Sequence, residues 1–373
     1  MNKLDLKYPI IQSPMAGVTT PEMVAEVCNF GALGSLPVSH IDLSSSKGFS
    51  ELNIVLNQVQ SMITDKSKKR NINLNFFCQD VVGSVSQIQK ENWFDLYEKA
   101  IGVGVDKTKL KFDKRSLSFK DYEGTSTFTG LLSFFKNQYT PKVISFHFGH
   151  PSKESIEELQ KLGLLVFLTA TSNEEIKRAV ELKADGIVCQ GYEAGGHRGI
   201  YLENDQRFDE KLSTALLTKR ASQITGVDVE GQPFIISAGG ISFQRDIKYM
   251  LSLGAAGIQL GTAFLATSGS KVSNKFRSLL SQKSNLAETT MVDLVSGKPA
   301  RAILTPFIRS LITANSRDAL PDYSFRYNAF KQLRLDSDKV DFILAGQGYH
   351  SIDSQKEMSE VLEALVNGLD EVV

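Results

Sequence analysis

The sequence predicts a TIM (β/α)8 barrel on three observations. Eight short segments of β-type residues recur along the 373-residue chain, and helix-type repeats separate several of them; such alternation produces parallel strands, and eight of them can close into a barrel. Several strands are apolar almost throughout, which is typical of strands buried on both faces. Glycines follow the last two strands, where barrels of this class commonly bind phosphate. An open doubly wound sheet would show the same alternation, but the count of eight and the glycines favour the barrel.

Each predicted element has its own sequence signal. Apolar residues at helical spacing predict helices over 21–28, with Thr20 as N-cap, and over 173–182 and 243–253. The predicted strands are YPIIQS (8–13), GALGSL (31–36), NINLNFF (71–77), VISFHF (143–148), LVFLTA (165–170), GIVCQG (186–191), FIISAG (234–239) and GIQLGT (257–262).

Two segments exceed a minimal barrel. Residues 1–265 are expected to form the barrel, interrupted between the third and fourth strands by an insertion at about 80–140 that contains the only tryptophan, Trp93. Residues 266–373 are expected to form a C-terminal helical cap or lid that completes the barrel, covers the site and ends in a helical run at 356–368.

Composition excludes several classes of protein. Hydrophobic residues make up 42% and charged residues 23%, which is ordinary for a globular enzyme. The 42 basic and 42 acidic residues cancel, which argues against binding nucleic acid through bulk charge. No apolar run reaches the length of a membrane span. The three cysteines are too few and too far apart for a disulfide framework or a metal knuckle, so no metal site and a reducing, cytoplasmic compartment are expected.

The turns after the seventh and eighth strands predict an anion site. They read AGGI (238–241) and QLGT (259–262), and glycines there let free backbone N–H groups approach a phosphate. Gly239 and Gly240 could instead serve only a tight turn. Two such turns at the two expected strand ends favour the phosphate interpretation.

The loop after the sixth strand, EAGGHRG (193–199), predicts a catalytic histidine. Its glycines permit close approach to a flat ligand and leave the imidazole of His197 over an open site, where it could take a proton or hold an anion. The alternative is a structural histidine that ties the loop to a carbonyl group. The three glycines and the strand-end position favour the functional interpretation.

Two further groups of residues are candidates for the pocket. In FHFG, strand alternation places Ser145, His147 and Gly149 on one face and Phe146 and Phe148 on the other, so His147 points into the barrel mouth if the phenylalanines pack outward. A buried structural histidine is equally consistent with the pattern.

The segment PDYSFRYNAFK (321–331) spaces Tyr323, Tyr327 and Lys331 four residues apart, which puts them on one face of a helix that begins at Pro-Asp. This face could cover an anionic substrate, or it could simply pack on the barrel.

Missing motifs narrow the ligand. The chain contains no Rossmann GxGxxG fingerprint, P-loop, HExxH or GxSxG motif. A flat, phosphate-bearing ligand across the barrel mouth is therefore predicted, and flavin mononucleotide (FMN) fits. Pyridoxal phosphate and sugar phosphates remain open, although no strand end carries the lysine that a pyridoxal enzyme needs.

Five motifs together resemble a known family. PIIQSPMAG, NLNFF, CQGYEAGGHRG, IISAGGI and GIQLGTAF, in this order, are similar to the nitronate monooxygenases, formerly called 2-nitropropane dioxygenases, which are FMN-dependent TIM barrels. The resemblance covers about 8–40, 71–78, 143–265 and the segments SGKPAR and PDY near 296–331. The wider family also contains FMN-dependent NAD(P)H:quinone reductases and a bacterial enoyl-thioester reductase.

The resemblance implies a role for each matching residue. His197 corresponds to the catalytic histidine, and His147, Tyr323, Tyr327 and Lys331 correspond to substrate-pocket residues. The implied FMN-binding residues are Met15, Ala16, Asn75, Gln190, Gly195, Gly239, Gly240, Ile258, Gln259, Leu260, Gly261 and Thr262.

The resemblance also implies a reaction. An alkyl nitronate such as propionate 3-nitronate would react with O2 through a flavin semiquinone to give a carbonyl compound and nitrite, which detoxifies nitro compounds. The enzyme would be a monomer or homodimer. Two alternatives remain: an FMN-dependent NAD(P)H:quinone or enoyl-thioester reductase on the same barrel, and a non-enzymatic FMN-binding barrel.

Overall fold

Eight parallel strands form one sheet in the computed structural model, which describes residues 4–80, 83–113, 117–203, 205–226, 229, 231–281, 288–315, 318–337, 339–352 and 356–369. In sheet order the strands are β1 (Ile10–Gln12), β9 (Gly257–Leu260), β8 (Phe234–Ala238), β6 (Gly186–Gln190), β5 (Leu165–Ala170), β4 (Val143–His147), β3 (Ile72–Phe77) and β2 (Gly34–Pro37), labelled by their order in the chain.

The two ends of this sheet meet at Leu33. Its N–H donates to the carbonyl oxygen of Ile10 at 3.0 Å, and its own carbonyl oxygen accepts from the N–H of Gln12 at 2.9 Å. These bonds join β1 to the residue that precedes β2 and close the barrel. The predicted TIM barrel and all eight predicted strands are therefore confirmed.

The helices begin and end close to where the apolar repeats predict. The first helix begins at Pro21, and the hydroxyl of Thr20 accepts from the N–H of Met23 as an N-cap. None of the described helices is both long enough and apolar enough to span a bilayer. The helices are α1 (Pro21–Phe30), α2 (Gly48–Met62), α3 (Gln87–Ile101), α4 (Ser126–Asn137), α5 (Lys153–Lys161), α6 (Asn173–Glu181), α7 (Thr214–Thr225), α8 (Gln244–Ser252), α9 (Asn274–Ser281), α10 (Pro306–Ala314), α11 (Phe325–Asp336) and α12 (Met358–Val366).

The insertion after β3 divides between two hydrophobic cores. Helix α4 buries Leu131 and Phe135 in the core that surrounds the barrel. Helix α3 instead packs on α10, and Trp93 stacks on Tyr97 at 4.1 Å within a second core built mainly from residues 292–342. We call the unit formed by α3, α10, α11 and the two strands at 289–292 and 300–303 the cap.

A small antiparallel sheet attaches the cap to the barrel. Its strands are β10 (Thr289–Val292), β11 (Ala300–Ile303) and β7 (Gly196–His197), and β7 belongs to the loop that follows β6. In the register, Ala300 lies opposite His197 and Arg301 opposite Gly196. The cap is thus hydrogen-bonded to the residues at the barrel mouth.

The C-terminal helix returns to the barrel. Helix α12 packs against α1 and α8, and Leu362 is fully buried between them with Met23 and Ile247 in the same cluster. This position is that of the eighth barrel helix, which the chain reaches only after building the cap.

Replacing Leu362 with alanine should therefore destabilise the barrel itself. We expect the free energy of unfolding to fall by about 2–5 kcal/mol, because the substitution removes buried apolar volume and leaves a cavity. Urea unfolding followed by circular dichroism measures the change. Leu335→Ala is the matched control, since Leu335 is 83% exposed and its loss should change stability by less than about 0.5 kcal/mol. Equal losses in the two variants would contradict the placement of α12.

Candidate active site

A cavity of about 900 Å³ opens at the carboxyl ends of the barrel strands. Active sites of TIM barrels lie at this end because the loops that follow the strands converge there. Except for Ile258, every site residue predicted from the sequence lines it: Met15, Ala16, Asn75, His147, Gln190, Gly195, His197, Gly239, Gly240, Gln259, Leu260, Gly261, Thr262, Tyr323, Tyr327 and Lys331.

Ile258 is placed differently from the other predicted site residues. Its side chain is fully buried behind the barrel wall, in the core that contains Ile10 and Ile247, and it does not line the cavity. Successive side chains of a strand point to opposite faces, so Gln259 faces the cavity and Ile258 faces the helices.

One end of the cavity presents unpaired backbone donors. The N–H groups of Gly240, Gly261 and Thr262 have no hydrogen-bond acceptor among the residues that the structure describes. The first amides before α8 are already engaged, because Ser242 and Phe243 both donate to the carboxylate of Asp246 at 2.9 Å. Backbone N–H groups that are free of partners and line the same cavity form a site for an anion such as phosphate.

A loop from the C-terminal segment completes this end. Gly346 donates its N–H to the hydroxyl oxygen of Thr262 at 2.9 Å. A Cβ on Gly195 would lie 2.3 Å from the nitrogen of Gly346, so only glycine fits there. From the sequence, Gly195 is expected to allow close approach by a ligand; the backbone of the C-terminal loop also requires a glycine at this position.

The middle of the cavity carries amide side chains that are already engaged. Asn75 donates to the hydroxyl of Ser145 at 3.0 Å. Gln190 donates to the carbonyl oxygen of His197 at 2.9 Å and accepts from the N–H of Gly199 at 2.7 Å. Gln190 therefore holds both sides of the histidine loop in place, whatever it also contacts in the cavity.

A buried ion pair also restrains the histidine loop, EAGGHRG (193–199). The guanidinium of Arg198 forms two hydrogen bonds with the carboxylate of Asp209, one of them at 2.8 Å, and both side chains are almost completely buried. Arg198 also donates to the carbonyl oxygens of Thr171 and Gln190. Breaking a buried pair of this kind is strongly destabilising, so the loop has one well-defined conformation.

His147 is held between two partners. Its Nε2 lies 3.2 Å from the carbonyl oxygen of His197, and its Nδ1 lies 3.2 Å from the hydroxyl of Thr169. A carbonyl oxygen only accepts, so Nε2 carries the proton. Burial lowers the pKa of His147 to about 4, which keeps the ring neutral at pH 7. His147 thus lines the cavity and also supports the backbone of His197.

Phe148 corrects the expected alternation. Strand β4 ends at His147, and Phe148 has a φ of +69°, so its side chain does not continue the outward face of Phe146. Its ring instead lies 5.6 Å from that of His197 and 5.3 Å from that of Tyr323. Phe148 therefore belongs to the wall around the histidine.

His197 is enclosed by aromatic rings. The rings of Tyr323 and Tyr327 lie 5.9 and 5.6 Å from its own, and its Nε2 lies 2.9 Å from the hydroxyl of Ser296. Burial, together with the neighbouring His147, Lys298 and Lys331, lowers the pKa of His197 to about 3. The imidazole is therefore neutral at pH 7.

Two lysines add positive charge around these rings. The ammonium of Lys298 lies 4.9 Å from the ring centre of Phe148, and that of Lys331 lies 4.3 Å from the ring centre of Tyr327. Desolvation lowers the pKa of both lysines. Neither ammonium has a carboxylate within 4 Å among the described residues. Positive charge without a paired carboxylate at this side of the cavity favours an anionic ligand.

The tyrosines reach the cavity in a way that the sequence did not indicate. Helix α11 begins at Phe325 rather than at Pro-Asp, and Ser324 immediately before it has a φ of +80°. Tyr323 therefore lies outside the helix, yet its ring is stacked with that of Tyr327 at 6.4 Å. The three residues spaced by four still share the cavity, because the turn at Ser324 keeps Tyr323 on the same side.

Four residues around the site were not predicted from the sequence: Phe148, Ser296, Lys298 and Gly346. Ser296 is 99 residues from His197 in the chain, and nothing in its local pattern indicates that the two meet. Lys298 lies in SGKPAR, a segment that the resemblance included without giving the lysine a role. The glycines of GQG (346–348) resemble the phosphate-turn glycines and were the one available signal for the C-terminal loop.

Comparison with known proteins identifies the class. The model of the nitronate monooxygenase family matches residues 1–368, and the chain belongs to this family. It is an oxidoreductase, and flavin is the usual cofactor of the family.

Two relatives over nearly the whole chain carry the same family name. The chain is 45% identical over 368 residues to a putative nitronate monooxygenase of Saccharomyces cerevisiae, covering 97% of this chain and 90% of the relative. It is 31% identical to the nitronate monooxygenase of Pseudomonas aeruginosa, covering 98% and 97%.

Solved structures show the same fold. The nitroalkane oxidase from Streptomyces ansochromogenes superposes with a TM-score of 0.78 at 24% identity, covering 98% of this chain and 97% of that one. FabK from Thermotoga maritima superposes with a TM-score of 0.67 at 19% identity, covering 99% and 94%.

Removing the charge of Lys298 should raise the pKa of His197. In Lys298→Met one of the nearby cations that disfavour the imidazolium is lost, while burial still keeps the pKa below 6.5. NMR titration of the histidine ring protons measures the shift. Lys219→Met, a change on the exposed face of α7, should leave the pKa unchanged. A fall in the pKa of His197 in Lys298→Met would show that Lys298 does not disfavour the imidazolium.

Proposed function

We propose that this protein oxidises alkyl nitronates with O2 to a carbonyl compound and nitrite, using bound FMN. One observation carries the proposal: a neutral His197 lies beside Tyr323 and Tyr327, with two ammonium groups nearby, in a cavity whose other end offers unpaired backbone donors. The first arrangement suits a small organic anion, and the second suits the phosphate of a nucleotide.

The chain's own residues fit FMN. The N–H groups of Gly240, Gly261 and Thr262 would hold its phosphate, and the strand ends that carry Met15 and Asn75 would border its ring system. When bound, FMN supplies the transfer of electrons from the nitronate to O2, and the protein supplies orientation and charge.

The substrate would lie between the flavin site and the cap. A nitronate is an anion, and the phenols of Tyr323 and Tyr327 can donate hydrogen bonds to its oxygens. Lys331 lies farther out on the same side, where it would pair with a second anionic group such as the carboxylate of propionate 3-nitronate. Phe148 limits access of water to His197, which strengthens each of these interactions.

If the substrate is a neutral nitroalkane, His197 would be the base. Its Nδ1 is not engaged by another described residue, whereas both nitrogens of His147 are. Geometry therefore favours His197 over His147 for proton transfer.

We also propose a reducing, cytoplasmic location and a monomeric or homodimeric state. All three cysteines are buried and unpaired, which supports a reducing compartment.

Anaerobic mixing tests the proposed reaction. Propionate 3-nitronate should bleach the flavin absorbance of the wild-type protein rapidly, and NADH or NADPH should not. His197→Asn should slow bleaching by about tenfold or more, because it removes a ring that can donate a hydrogen bond to the anionic substrate. Fast bleaching by a nicotinamide nucleotide, with none by the nitronate, would identify a reductase instead.

A glycine substitution tests the FMN site separately. Gly195→Ala should weaken FMN binding by about tenfold or more, since a Cβ there lies 2.3 Å from the nitrogen of Gly346 and must displace the C-terminal loop. Titration of the apoprotein with FMN, followed by flavin fluorescence, measures the affinity. Gly104→Ala is the control, because its Cβ meets no atom within 4 Å. Unchanged affinity in Gly195→Ala would place the cofactor elsewhere.

A further inference from the structure

The hydroxyl of Ser296 contacts the ring of His197 at Nε2. Ser296 is fully buried in the turn between β10 and β11, and its Oγ lies 2.9 Å from Nε2 of His197. The hydrogen-bond partner of Nε2 therefore comes from the segment between β10 and β11 and not from the barrel.

The position of the hydroxyl proton follows from the other partners of Ser296. Its Oγ accepts from the N–H of Lys298 at 3.3 Å and lies 3.0 Å from the carbonyl oxygen of Lys298. That carbonyl oxygen can only accept, so the hydroxyl donates to it. The lone pair of Oγ that remains then accepts a hydrogen bond from Nε2–H of His197.

We propose that Ser296 is a positioning residue that holds neutral His197 as the Nε2–H tautomer and thereby leaves the lone pair of Nδ1 free for the substrate. Nδ1 has no hydrogen-bond partner among the residues that the structure describes. A neutral imidazole carries one ring proton, so assigning it to Nε2 makes Nδ1 the basic atom.

With Nε2 protonated, Nδ1 is the atom that would accept a proton from the substrate. When a neutral nitroalkane binds, its α-carbon–hydrogen bond breaks and the proton moves to Nδ1. The electron pair of that bond forms the carbon–nitrogen double bond of the nitronate, whose negative charge resides on the nitro oxygens. The imidazolium keeps its Nε2–H on Ser296 and pairs with the nitronate that it has formed.

Preformed nitronate places a different demand on the ring. A ring protonated at Nδ1 can donate directly to the nitronate, but it cannot accept the α-proton of a nitroalkane at that atom. Loss of Ser296 frees the ring to adopt either tautomer and should therefore impair use of nitroalkanes selectively. This kinetic consequence rests on the proposed function, whereas the tautomer itself does not.

Nitrogen NMR tests the tautomer without any turnover. The protein contains five histidines, so ¹⁵N-histidine labelling gives few signals, and His197→Asn assigns those of His197. At pH 8 we expect a protonated-type shift for Nε2 and an unprotonated-type shift for Nδ1. In Ser296→Ala both shifts should move toward intermediate values. Protonation of Nδ1 in the wild-type protein, or unchanged shifts in Ser296→Ala, would overturn the proposal.

Kinetics with two substrates tests the consequence. In Ser296→Ala, kcat/KM for nitroethane should fall about tenfold more than kcat/KM for ethylnitronate, a factor that corresponds to one ordinary hydrogen bond. Ser237→Ala is the matched control, because Ser237 is equally buried but bonds Thr218 rather than His197. It should retain the wild-type ratio between the substrates and the wild-type nitrogen shifts.

The outcomes separate the two proposals. Equal losses for both substrates in Ser296→Ala would contradict the positioning role of Ser296. If the wild-type protein oxidises neither substrate but shows the expected nitrogen shifts, the tautomer is supported and the proposed function fails.

Discussion

The structure of the site depends on the pairing of β7 with β11. This short antiparallel ladder places Ala300 opposite His197 and so joins the barrel mouth to the cap. Through it, the imidazole contacts Ser296 and Tyr327 of the C-terminal segment as well as groups of the barrel. The ladder thus adds backbone hydrogen bonds to the restraints on the histidine loop.

The loop reaches this ladder in one conformation because buried polar groups restrain it. The Arg198–Asp209 pair holds the loop from the barrel side, and the side-chain amide of Gln190 bridges its two edges. A catalytic group must be held within a fraction of an ångström of its productive position, and residues behind it provide that constraint. Several residues of EAGGHRG therefore hold His197 in position and do not themselves bind the ligand.

The cavity has two regions that both favour a negatively charged ligand. Unpaired amides at one end and unpaired ammonium groups near the other both favour negative charge. Burial of the ring, and then the same cations, lower the pKa of His197 and keep the imidazole neutral at pH 7. An anion formed or bound beside the ring reverses this balance, because it stabilises the imidazolium by direct pairing.

The sequence by itself determined the barrel, its eight strands and most of the cavity wall. Those features depend on local patterns: apolar runs, helix caps such as Thr20, and glycines at strand ends. Only the tertiary structure decided which groups complete the site. Ser296, Lys298 and Gly346 come from the C-terminal segment, and Phe148 turns inward because its φ is positive. Contacts between residues about a hundred positions apart leave no periodicity in the sequence, since they arise from packing the cap on the barrel and not from local conformational preference.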